Sequence, residues 1–332
     1  MVHVAGRTGS LVLALAALAV AALPFFAGAY HLELASTALV TAMFALSLHL
    51  LVGVTGLVSL GHAAFFGIGA YAVHLLGLFG GAPSVLLTLS AAVLLSGLAS
   101  LAVGALALRT RGFFFLMTTL AFGQMLFFLY HDTPLGGGAD GVFITRPAFS
   151  LFGLEWVVSR RDRPAVMLWI NLGVLAAMYA GLVVLLRTMF GRALLGIRAN
   201  EHRMRSMGFD TYSLKLAAFT LAGALAGVSG HMWAMTQAFV TPELLGWHRS
   251  AEALLAVVLG GLGALYGPIL GAFAFVGLAE AAQLITERQR LVEGLVVLAV
   301  VLVLPRGLAG LRLARPRRAA PSVAAAPEGA GP

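Results

Sequence analysis

Long apolar runs separated by short polar segments dominate the pattern of the chain. A transmembrane helix needs about 20 mostly apolar residues, within a range of about 17–25. Runs of this kind occupy residues 11–29, 35–52, 57–79, 84–108, 112–130, 165–186, 216–236, 251–265, 267–282 and 292–311. Three of them are weak: 57–79 contains histidines and glycines, and the short pair 251–265 and 267–282 meets at Gly267-Pro268. The pattern predicts an all-α polytopic membrane bundle of about 10 transmembrane helices (roughly 8–10), some broken at Gly or Pro.

The composition agrees with a membrane protein. Of the 332 residues, 60% are hydrophobic and 10% are charged, whereas soluble domains have about 45–50% apolar and about 25% charged residues. The mean hydropathy of +0.97 excludes an ordinary water-soluble globule. We expect one transmembrane domain over residues 1–313, with the first apolar run retained as a helix rather than cleaved as a signal peptide. Residues 314–332, mostly Ala, Pro, Gly and Arg, are expected to form a disordered tail.

The positions of the basic residues indicate how the chain crosses the membrane. With the N-terminus inside and every run crossing, 14 Arg and Lys residues fall on the inside and 7 on the outside. Cytoplasmic loops of membrane proteins carry this excess of basic residues. The sequence therefore predicts that both termini are cytoplasmic, that 131–164 is an outer loop and that 187–215 is a cytoplasmic loop.

Several kinds of chemistry are excluded by residues that the sequence lacks. It has no cysteine, so disulfides, thiol nucleophiles and Cys-ligated metals are impossible. Its one lysine, Lys215, lies between leucines and cannot belong to a phosphate-binding P-loop. The sequence contains no recognisable catalytic constellation, cofactor motif or metal-ligand cluster. The net charge of +8 follows from the topology, because the arginines lie between apolar runs, and it does not indicate nucleic-acid binding.

A glycine-rich stretch at 53–71 is the first of three distinctive motifs. Its glycines include Gly61, Gly67 and Gly69. Small residues let membrane helices approach closely, so one interpretation is packing alone. The other interpretation is a broken segment that lines a pathway, with Ser59 and His62 as its polar groups, since polar side chains at membrane depth usually face the bundle interior or water.

The second motif, at 260–271, combines glycines with a proline. These residues are Gly260, Gly261, Gly263, Gly267 and Pro268. A phosphate-binding loop would need a preceding strand, whereas the flanking segments here are apolar helices. Because Gly-Pro frees backbone groups that must be bonded within the protein or at a cavity, the motif predicts a helix break with close packing.

The third motif is the basic stretch 191–208 in the cytoplasmic loop. Its apolar residues recur at roughly helical spacing, with arginines between them: Leu194, Ile197, Met204 and Met207. A segment of this kind either lies on lipid headgroups or docks as a helix onto a cytoplasmic partner.

Four blocks of the sequence resemble the inner-membrane permeases of branched-chain amino acid ABC importers, of the LivM type. The blocks are LVSLGHAAFFGIGAY at 57–71, TLAFGQ at 119–124 with GGADG at 137–141, the stretch 191–208, and VLGGLGALYGPILG at 258–271. With their spacing they cover roughly residues 35–310. The first and last blocks are the specific ones, the cytoplasmic block is looser, and Gly136 stands where the family usually has Thr.

The resemblance implies a location and a set of partners. Such permeases lie in the bacterial inner membrane, surrounded by membrane lipid, and pair with a second, LivH-like permease. Two cytoplasmic ATPases of the LivG and LivF kind hydrolyse ATP, and a periplasmic binding protein delivers the amino acid. ATP hydrolysis is therefore expected on separate chains, so that this chain is not expected to be an enzyme or to need a cofactor. The outer loop at 131–164 would then be periplasmic.

The resemblance also implies that 191–208 is a coupling loop, related to the EAA motif, on which the ATPases act. The residues that match this pattern are Gly191, Arg192, Glu201 and Gly208. Arg203 and Met204 stand where small residues are usual, which leaves the docking geometry open.

Alternating access is the expected mechanism, in which the binding protein outside and ATP inside favour different packings of a permease dimer. A zwitterionic amino acid with an apolar side chain needs a pathway with few fixed charges. The candidate lining residues are Ser59, His62, Thr118, Thr119 and Gln124. Related permeases carry urea, short amides or aromatic acids, and no residue decides between these substrates and branched-chain amino acids.

Two alternatives come from other classes of protein. A secondary transporter driven by an ion gradient would need a mid-span acid or Arg as a relay, whereas Glu252 and Glu280 lie near the ends of apolar runs. A membrane-embedded enzyme would need a nucleophile, a metal set or an acid–base pair, and the sequence displays none.

Overall fold

The computed structural model describes residues 16–78, 84–144, 149–151, 154–156, 159, 161–285, 291–292, 294–295, 298–299, 302 and 307–310. The α-helices with both bounds in these ranges are α1 (Ala29–His49), α2 (His62–Leu78), α3 (Val85–Ala107), α4 (Phe113–His131), α5 (Arg163–Arg187), α6 (Met189–Ala199), α7 (Glu201–Ser206), α8 (Thr211–Gln237), α9 (Trp247–Gly260) and α10 (Gly267–Ile285). A π-helical turn, Leu50–Thr55, continues α1.

Short strands form two small antiparallel pairs in the loops. The strands are β1 (Val142–Phe143), β2 (Phe149–Leu151), β3 (Leu154–Trp156) and β4 (Phe239–Val240). β2 pairs with β3 in a local hairpin, whereas β1 pairs with the distant β4, with Val142 opposite Val240. Single 3₁₀ turns lie at Leu23–Phe25, Pro134–Gly136, Pro242–Leu245 and Leu308–Gly310.

Six segments of the described chain are helical, long and apolar enough to cross a membrane. They are Ala29–Thr55, which joins α1 to the π-helical turn, and α3, α4, α5, α8 and α10. Ala16–Phe25 and α2 are shorter apolar helices. The prediction of an all-α polytopic membrane protein is confirmed. Half of the predicted run 292–311, and the whole predicted tail 314–332, lie outside the described residues.

Two of the weak apolar runs form shorter helices than their patterns predict. α2 begins at His62, five residues after the start of the run 57–79, because the chain leaves helical geometry at Gly56, whose φ is 78°. α9 has only 14 residues and ends before Gly261, whose φ is 103°. Positive φ is readily available only to glycine, so these glycines fix where the breaks occur.

Loops that the charge pattern assigned to the same side meet at the same end of the bundle. Arg198 of α6 donates a hydrogen bond to the Gly53 carbonyl oxygen, and the Tyr212 hydroxyl donates to the Ala105 carbonyl oxygen at 2.8 Å. We call this end, which contains residues 53–57, 105–112 and 187–215, the basic end. At the opposite end, the Tyr71 hydroxyl donates to the Gly136 carbonyl oxygen at 3.2 Å.

α1 is the central helix of the bundle. Every residue from Ala38 to Thr55 is buried, and α1 packs against α5, α8, α9 and α10. The helices α3 and α4 instead leave one face exposed, with side chains such as Leu94 and Leu98 of α3 directed away from the protein. Those exposed apolar faces are typical of helices that contact lipid or a second membrane protein.

Small residues allow α8 to lie directly against α2 and α3. A Cβ on Gly69 of α2 would meet the Gly227 backbone of α8, and a Cβ on Gly223 would meet the Ser100 side chain of α3. The Ser100 hydroxyl donates to the Thr220 carbonyl oxygen at 3.2 Å across this contact. Because lipid supplies no hydrophobic drive for helix association, close contacts of this kind hold membrane helices together.

Replacing Gly230 of α8 with Ala is expected to destabilise the fold. The added Cβ would lie well inside contact distance of the Phe66 carbonyl oxygen, and overpacking of this kind costs about 1–3 kcal/mol. Gly181→Ala in α5 is the matched control, since nothing lies within 4 Å of its Cβ position. The midpoint of thermal unfolding in detergent should fall by several degrees for Gly230→Ala only. Equal midpoints for the two variants would contradict the close contact.

Candidate functional site

The backbone between α1 and α2 is not α-helical, although apolar helices flank it on both sides. The π-helical turn Leu50–Thr55 is followed by an irregular stretch that ends at Gly61. We call residues 50–61 the broken segment. π-helical turns are rare and frequently mark functional sites. At membrane depth, irregular backbone is tolerated only where it is buried in protein or lines a cavity.

Gly61 allows the broken segment to lie directly against the middle of α4. A Cβ on Gly61 would meet the Thr119 carbonyl oxygen, and a Cβ on Gly123 would come within 2.9 Å of the Gly61 Cα. No residue larger than glycine fits this crossing without displacing one of the two backbones. The contact therefore fixes residues 59–62 beside residues 118–124.

His62 lies at the point where the broken segment becomes α2. Its imidazole Nε2 is 3.0 Å from the Ser47 hydroxyl of α1, and its ring stacks on Phe44. The Ser250 hydroxyl of α9 accepts a hydrogen bond from the backbone N–H of Ala63 at 2.8 Å. Two helices, α1 and α9, thus converge on the first turn of α2.

Two buried polar atoms near this point have no hydrogen-bond partner within the described residues. They are the Ser59 hydroxyl oxygen and the His62 Nδ1 atom, and both side chains are fully buried. Buried polar atoms are almost always hydrogen-bonded in folded proteins. Both atoms lie in or beside the broken segment, although unpartnered buried atoms also occur elsewhere in the described bundle, as at Ser36 and His231.

The three candidate pathway residues of α4 occupy different positions. Thr119 is buried, and its hydroxyl donates to the Leu116 carbonyl oxygen at 2.9 Å. Thr118 and Gln124 are half-buried, and the amide nitrogen of Gln124 has no partner in the described part of the chain. The structure brings Ser59, His62 and these α4 residues to one region. Their contact with a substrate stays a prediction.

A second break separates α9 from α10. α9 ends at Gly260 and α10 begins at Gly267, with Pro268 as its second residue. A Cβ on Gly260 would clash with the Gly267 carbonyl, and one on Gly271 with the Ala256 carbonyl. Gly263 differs, because nothing lies within 4 Å of its Cβ position. It belongs to the turn and makes no close packing contact.

The remaining glycines of the first motif serve helix packing. Gly67 lies against the Leu245 side chain of the 3₁₀ turn at the opposite end, and Gly69 lies against Gly227. Packing thus describes the glycines along α2, and the predicted break lies before it. That this break lines a pathway stays a prediction.

His49 joins the two breaks, which are about 200 residues apart in sequence. Its Nε2 atom is 3.4 Å from the Leu262 carbonyl oxygen in the α9–α10 turn. The same ring lies where a side chain on Gly53 would have to sit. No local sequence pattern pairs His49 with Leu262, so this contact could not be predicted from the sequence.

The cytoplasmic loop predicted at 187–215 is a compact set of capped helices. The Thr188 hydroxyl accepts from the Gly191 N–H at 3.3 Å at the start of α6, and the Asn200 side chain accepts from the Arg203 N–H at 3.0 Å at the start of α7. Asp210 caps α8 in the same way. Such side-chain caps typically stabilise a helix by about 1 kcal/mol each.

The loop does not present its apolar residues as one helical stripe. Asn200 separates α6 from α7, so that Leu194 and Ile197 are buried against the bundle while Met207 is 65% exposed. Gly191 is buried against the Leu185–Leu186 backbone, whereas Arg192 and Gly208 are exposed. The exposed face of the loop therefore combines basic side chains with a methionine.

Glu201 fastens α7 to α8. Its carboxylate accepts from the Lys215 ammonium at 2.5 Å and from the Arg205 guanidinium at 2.7 Å, with the Thr211 hydroxyl at 3.3 Å. Burial alone would raise the pKa of Glu201, but the pairing with Lys215, Arg205 and Thr211 outweighs burial and lowers it. The carboxylate thus acts as an internal anchor of the loop rather than as a free surface charge.

These features define a class of protein: a polytopic helical membrane protein with broken helices in its core and a structured loop at its basic end. Comparison with known sequences then identifies the family. Residues 30–304 match the family described as "Branched-chain amino acid transport system / permease component", and the chain belongs to this family of permeases. The resemblance found in the sequence motifs is confirmed.

Individual relatives agree with the family match. The chain is 32% identical over 318 residues to the high-affinity branched-chain amino acid transport system permease protein LivM of Salmonella typhimurium, which covers 89% of this chain and 73% of the relative. LivM of Escherichia coli is also 32% identical, over 314 residues and the same shares. LivH of Escherichia coli is 24% identical over 287 residues, 81% of this chain and 91% of the relative. No solved structure matches the chain significantly.

Glu201→Gln is expected to loosen α7 from α8 at neutral pH. A lowered pKa means that the carboxylate stabilises this contact above its unfolded pKa of about 4.3 and loses the effect as pH falls through the folded value. Hydrogen exchange at residues 201–206, corrected for intrinsic exchange, should therefore be faster in the variant at pH 7. The difference from the native chain should shrink at acidic pH. Glu243→Gln, an exposed carboxylate at the opposite end, is the control. A difference that does not change with pH would contradict the ion-pair anchor.

Proposed function

We propose that this chain is the membrane-spanning permease subunit of an ATP-driven importer for branched-chain or similar hydrophobic amino acids. In this proposal it works in the bacterial inner membrane, with both termini cytoplasmic, by alternating access. The observation that carries the proposal is the broken segment 50–61, mostly buried and held against α4 by the Gly61–Thr119 contact. The LivM and LivH relatives, which are branched-chain amino acid permease proteins, supply the substrate class.

A pathway beside the broken segment suits a zwitterion with an apolar side chain. Its candidate lining residues are Ser59, His62, Thr118, Thr119 and Gln124, which offer hydroxyl, imidazole and amide groups without a fixed charge. The unpartnered atoms of Ser59, His62 and Gln124 can bond the ammonium or carboxylate of a passing substrate. Apolar neighbours such as Phe44 complete the surroundings. Transporters often place such discontinuous segments at the substrate site.

The loop at the basic end is the proposed contact for the ATPases. Its exposed Arg192, Met207 and Gly208 would face them, while Gly191 and Glu201 hold the loop in shape. Two LivG- and LivF-like ATPases would supply ATP hydrolysis, since this chain's lone lysine cannot form a P-loop. A second, LivH-like permease and a periplasmic binding protein would complete the importer.

Arg198 offers a direct mechanical link between that loop and the pathway. Its guanidinium donates to the Gly53 carbonyl inside the π-helical turn, and its side chain lies against Gly56. A shift of α6 on ATP binding would therefore displace the broken segment. Such coupling requires two packings that ATP and substrate favour differently, and a π-helical turn beside a glycine hinge is a backbone that can adopt two packings.

Other substrates, or transport driven by an ion gradient, would give different results in an uptake experiment. Importers of the same family for urea, short amides or aromatic acids would share this architecture. An ion-gradient-driven transporter would use an intramembrane acid as its relay. Glu280, the acid within α10, instead accepts a hydrogen bond from Tyr30, and Glu252 pairs with Arg249 at 2.8 Å.

The test is uptake by proteoliposomes containing the chain together with the proteins that co-purify with it from its native membrane. We expect uptake of radiolabelled leucine that needs enclosed ATP and the periplasmic binding protein, and that a protonophore leaves unchanged. Valine and isoleucine should compete with leucine, whereas urea, acetamide and benzoate should not. Uptake without ATP that a protonophore abolishes would contradict the proposal and favour the ion-driven alternative. Competition by urea or benzoate alone would change the substrate but keep the mechanism.

A further inference from the structure

A cavity of about 590 Å³ opens at the basic end of the bundle. Three segments form it: residues 55–57 of the broken segment, residues 108–112 between α3 and α4, and parts of the stretch from Ile197 to Lys215. The charged side chains that line it are Arg109, Arg111, Arg198, Arg205, Lys215 and Glu201. Ser59, His62, Thr118, Thr119 and Gln124 do not line this cavity, although residues 55–57 of the broken segment do.

The positive charge of the cavity is only partly neutralised by the protein. The two carboxylate oxygens of Glu201 form ion pairs with Arg205 and Lys215. Arg198 donates to the Gly53 carbonyl, which satisfies a hydrogen bond but cancels no charge. Arg109 and Arg111 have no ion-pair or side-chain hydrogen-bond partner among the described residues. Arg109 and Arg111 are both exposed and line the same open cavity, an arrangement that favours a bound anion.

The anion that fits best is a phosphate. Guanidinium groups bind phosphate oxygens through paired charge-assisted hydrogen bonds. α4 begins beside Arg111, and its N-cap residue Gly112 provides no side-chain cap for the first backbone N–H groups. A helix N-terminus with free N–H groups adds further favourable interactions for a phosphate, next to the arginine pair rather than in place of it.

The surroundings indicate that this phosphate belongs to a lipid. Phe113 and Phe114 follow Gly112 directly and are 68% and 72% exposed, so an apolar surface lies next to the cationic cavity. α4 is one of the membrane-crossing helices, and its first turn therefore lies where the acyl chains of a lipid meet its headgroup. Basic pockets between transmembrane helices are suited to anionic headgroups.

We propose that the cavity at Arg109 and Arg111 binds the headgroup of an anionic phospholipid, with the acyl chains on Phe113 and Phe114. The bound phosphate bridges the α3–α4 turn and the loop that carries Glu201. An anionic lipid thus acts as a fixed part of the structure at the basic end. The proposal does not depend on which substrate the permease carries.

The experiment measures lipid binding to the purified, delipidated full chain by native mass spectrometry in mild detergent. The probes are phosphatidylglycerol, phosphatidylcholine and inorganic phosphate. The double variant Arg109→Gln/Arg111→Gln is compared with Arg187→Gln/Arg203→Gln, which removes the same charge from the same end without touching the cavity. We expect saturable binding of phosphatidylglycerol in preference to phosphatidylcholine. That binding should be weaker by about tenfold or more in the cavity variant only, because each basic residue near a lipid surface contributes about 1 kcal/mol.

Three outcomes would overturn the proposal. Equal losses in the two double variants would make the effect one of net charge. Inorganic phosphate that binds the native chain and displaces phosphatidylglycerol at equal concentration would assign the cavity to a soluble anion. If the cavity variant does not fold, the native chain supplies the test: raising the salt concentration from about 50 to about 500 mM should release the bound phosphatidylglycerol, and retention would contradict a headgroup held by arginines.

Discussion

The structure depends on one constraint, that backbone polar groups in a membrane must find partners within the protein. The broken segment, the first turn of α2 and the α9–α10 turn meet this constraint in part through side chains from other elements. Ser250 accepts from the Ala63 N–H, Arg198 donates to the Gly53 carbonyl, and His49 lies within reach of the Leu262 carbonyl. Because each partner lies on a different helix, the irregular backbone also sets how α1, α6, α9 and α2 pack together.

Close packing of helices at glycines is the second requirement for bonding the irregular backbone. Polar partners can reach the broken segment only if the helices around it approach to backbone contact, as at Gly61 against Thr119 and Gly69 against Gly227. The same close packing explains why α1 is buried from Ala38 to its end. A permease built this way has a tightly packed frame around a short irregular element, and we regard that element as the part that moves.

Sequence reasoning recovered what is encoded locally. Apolar runs gave the helices, and Gly-rich patterns marked both breaks, because positive φ at Gly56 and Gly261 is a local property. The late start of α2 was missed, since hydropathy continues through residues 57–61 although the helix does not. Ser47, Ser250 and Lys215 were also missed as partners of His62, Ala63 and Glu201, because contacts between distant residues leave no periodic signal. Only the fold brings these groups together.

The most direct test of a moving broken segment is the reactivity of a cysteine at Ser59 in the assembled importer. The native chain has no cysteine, so Ser59→Cys gives a single thiol of nearly the same shape. Ser36→Cys is the matched control, because Ser36 is equally buried but lies within α1. The account predicts that a water-soluble thiol reagent labels position 59 in one nucleotide state only, and that substrate protects it, while position 36 stays unlabelled. A position 59 that is unreactive in every state, or that reacts no faster than position 36, would contradict the account.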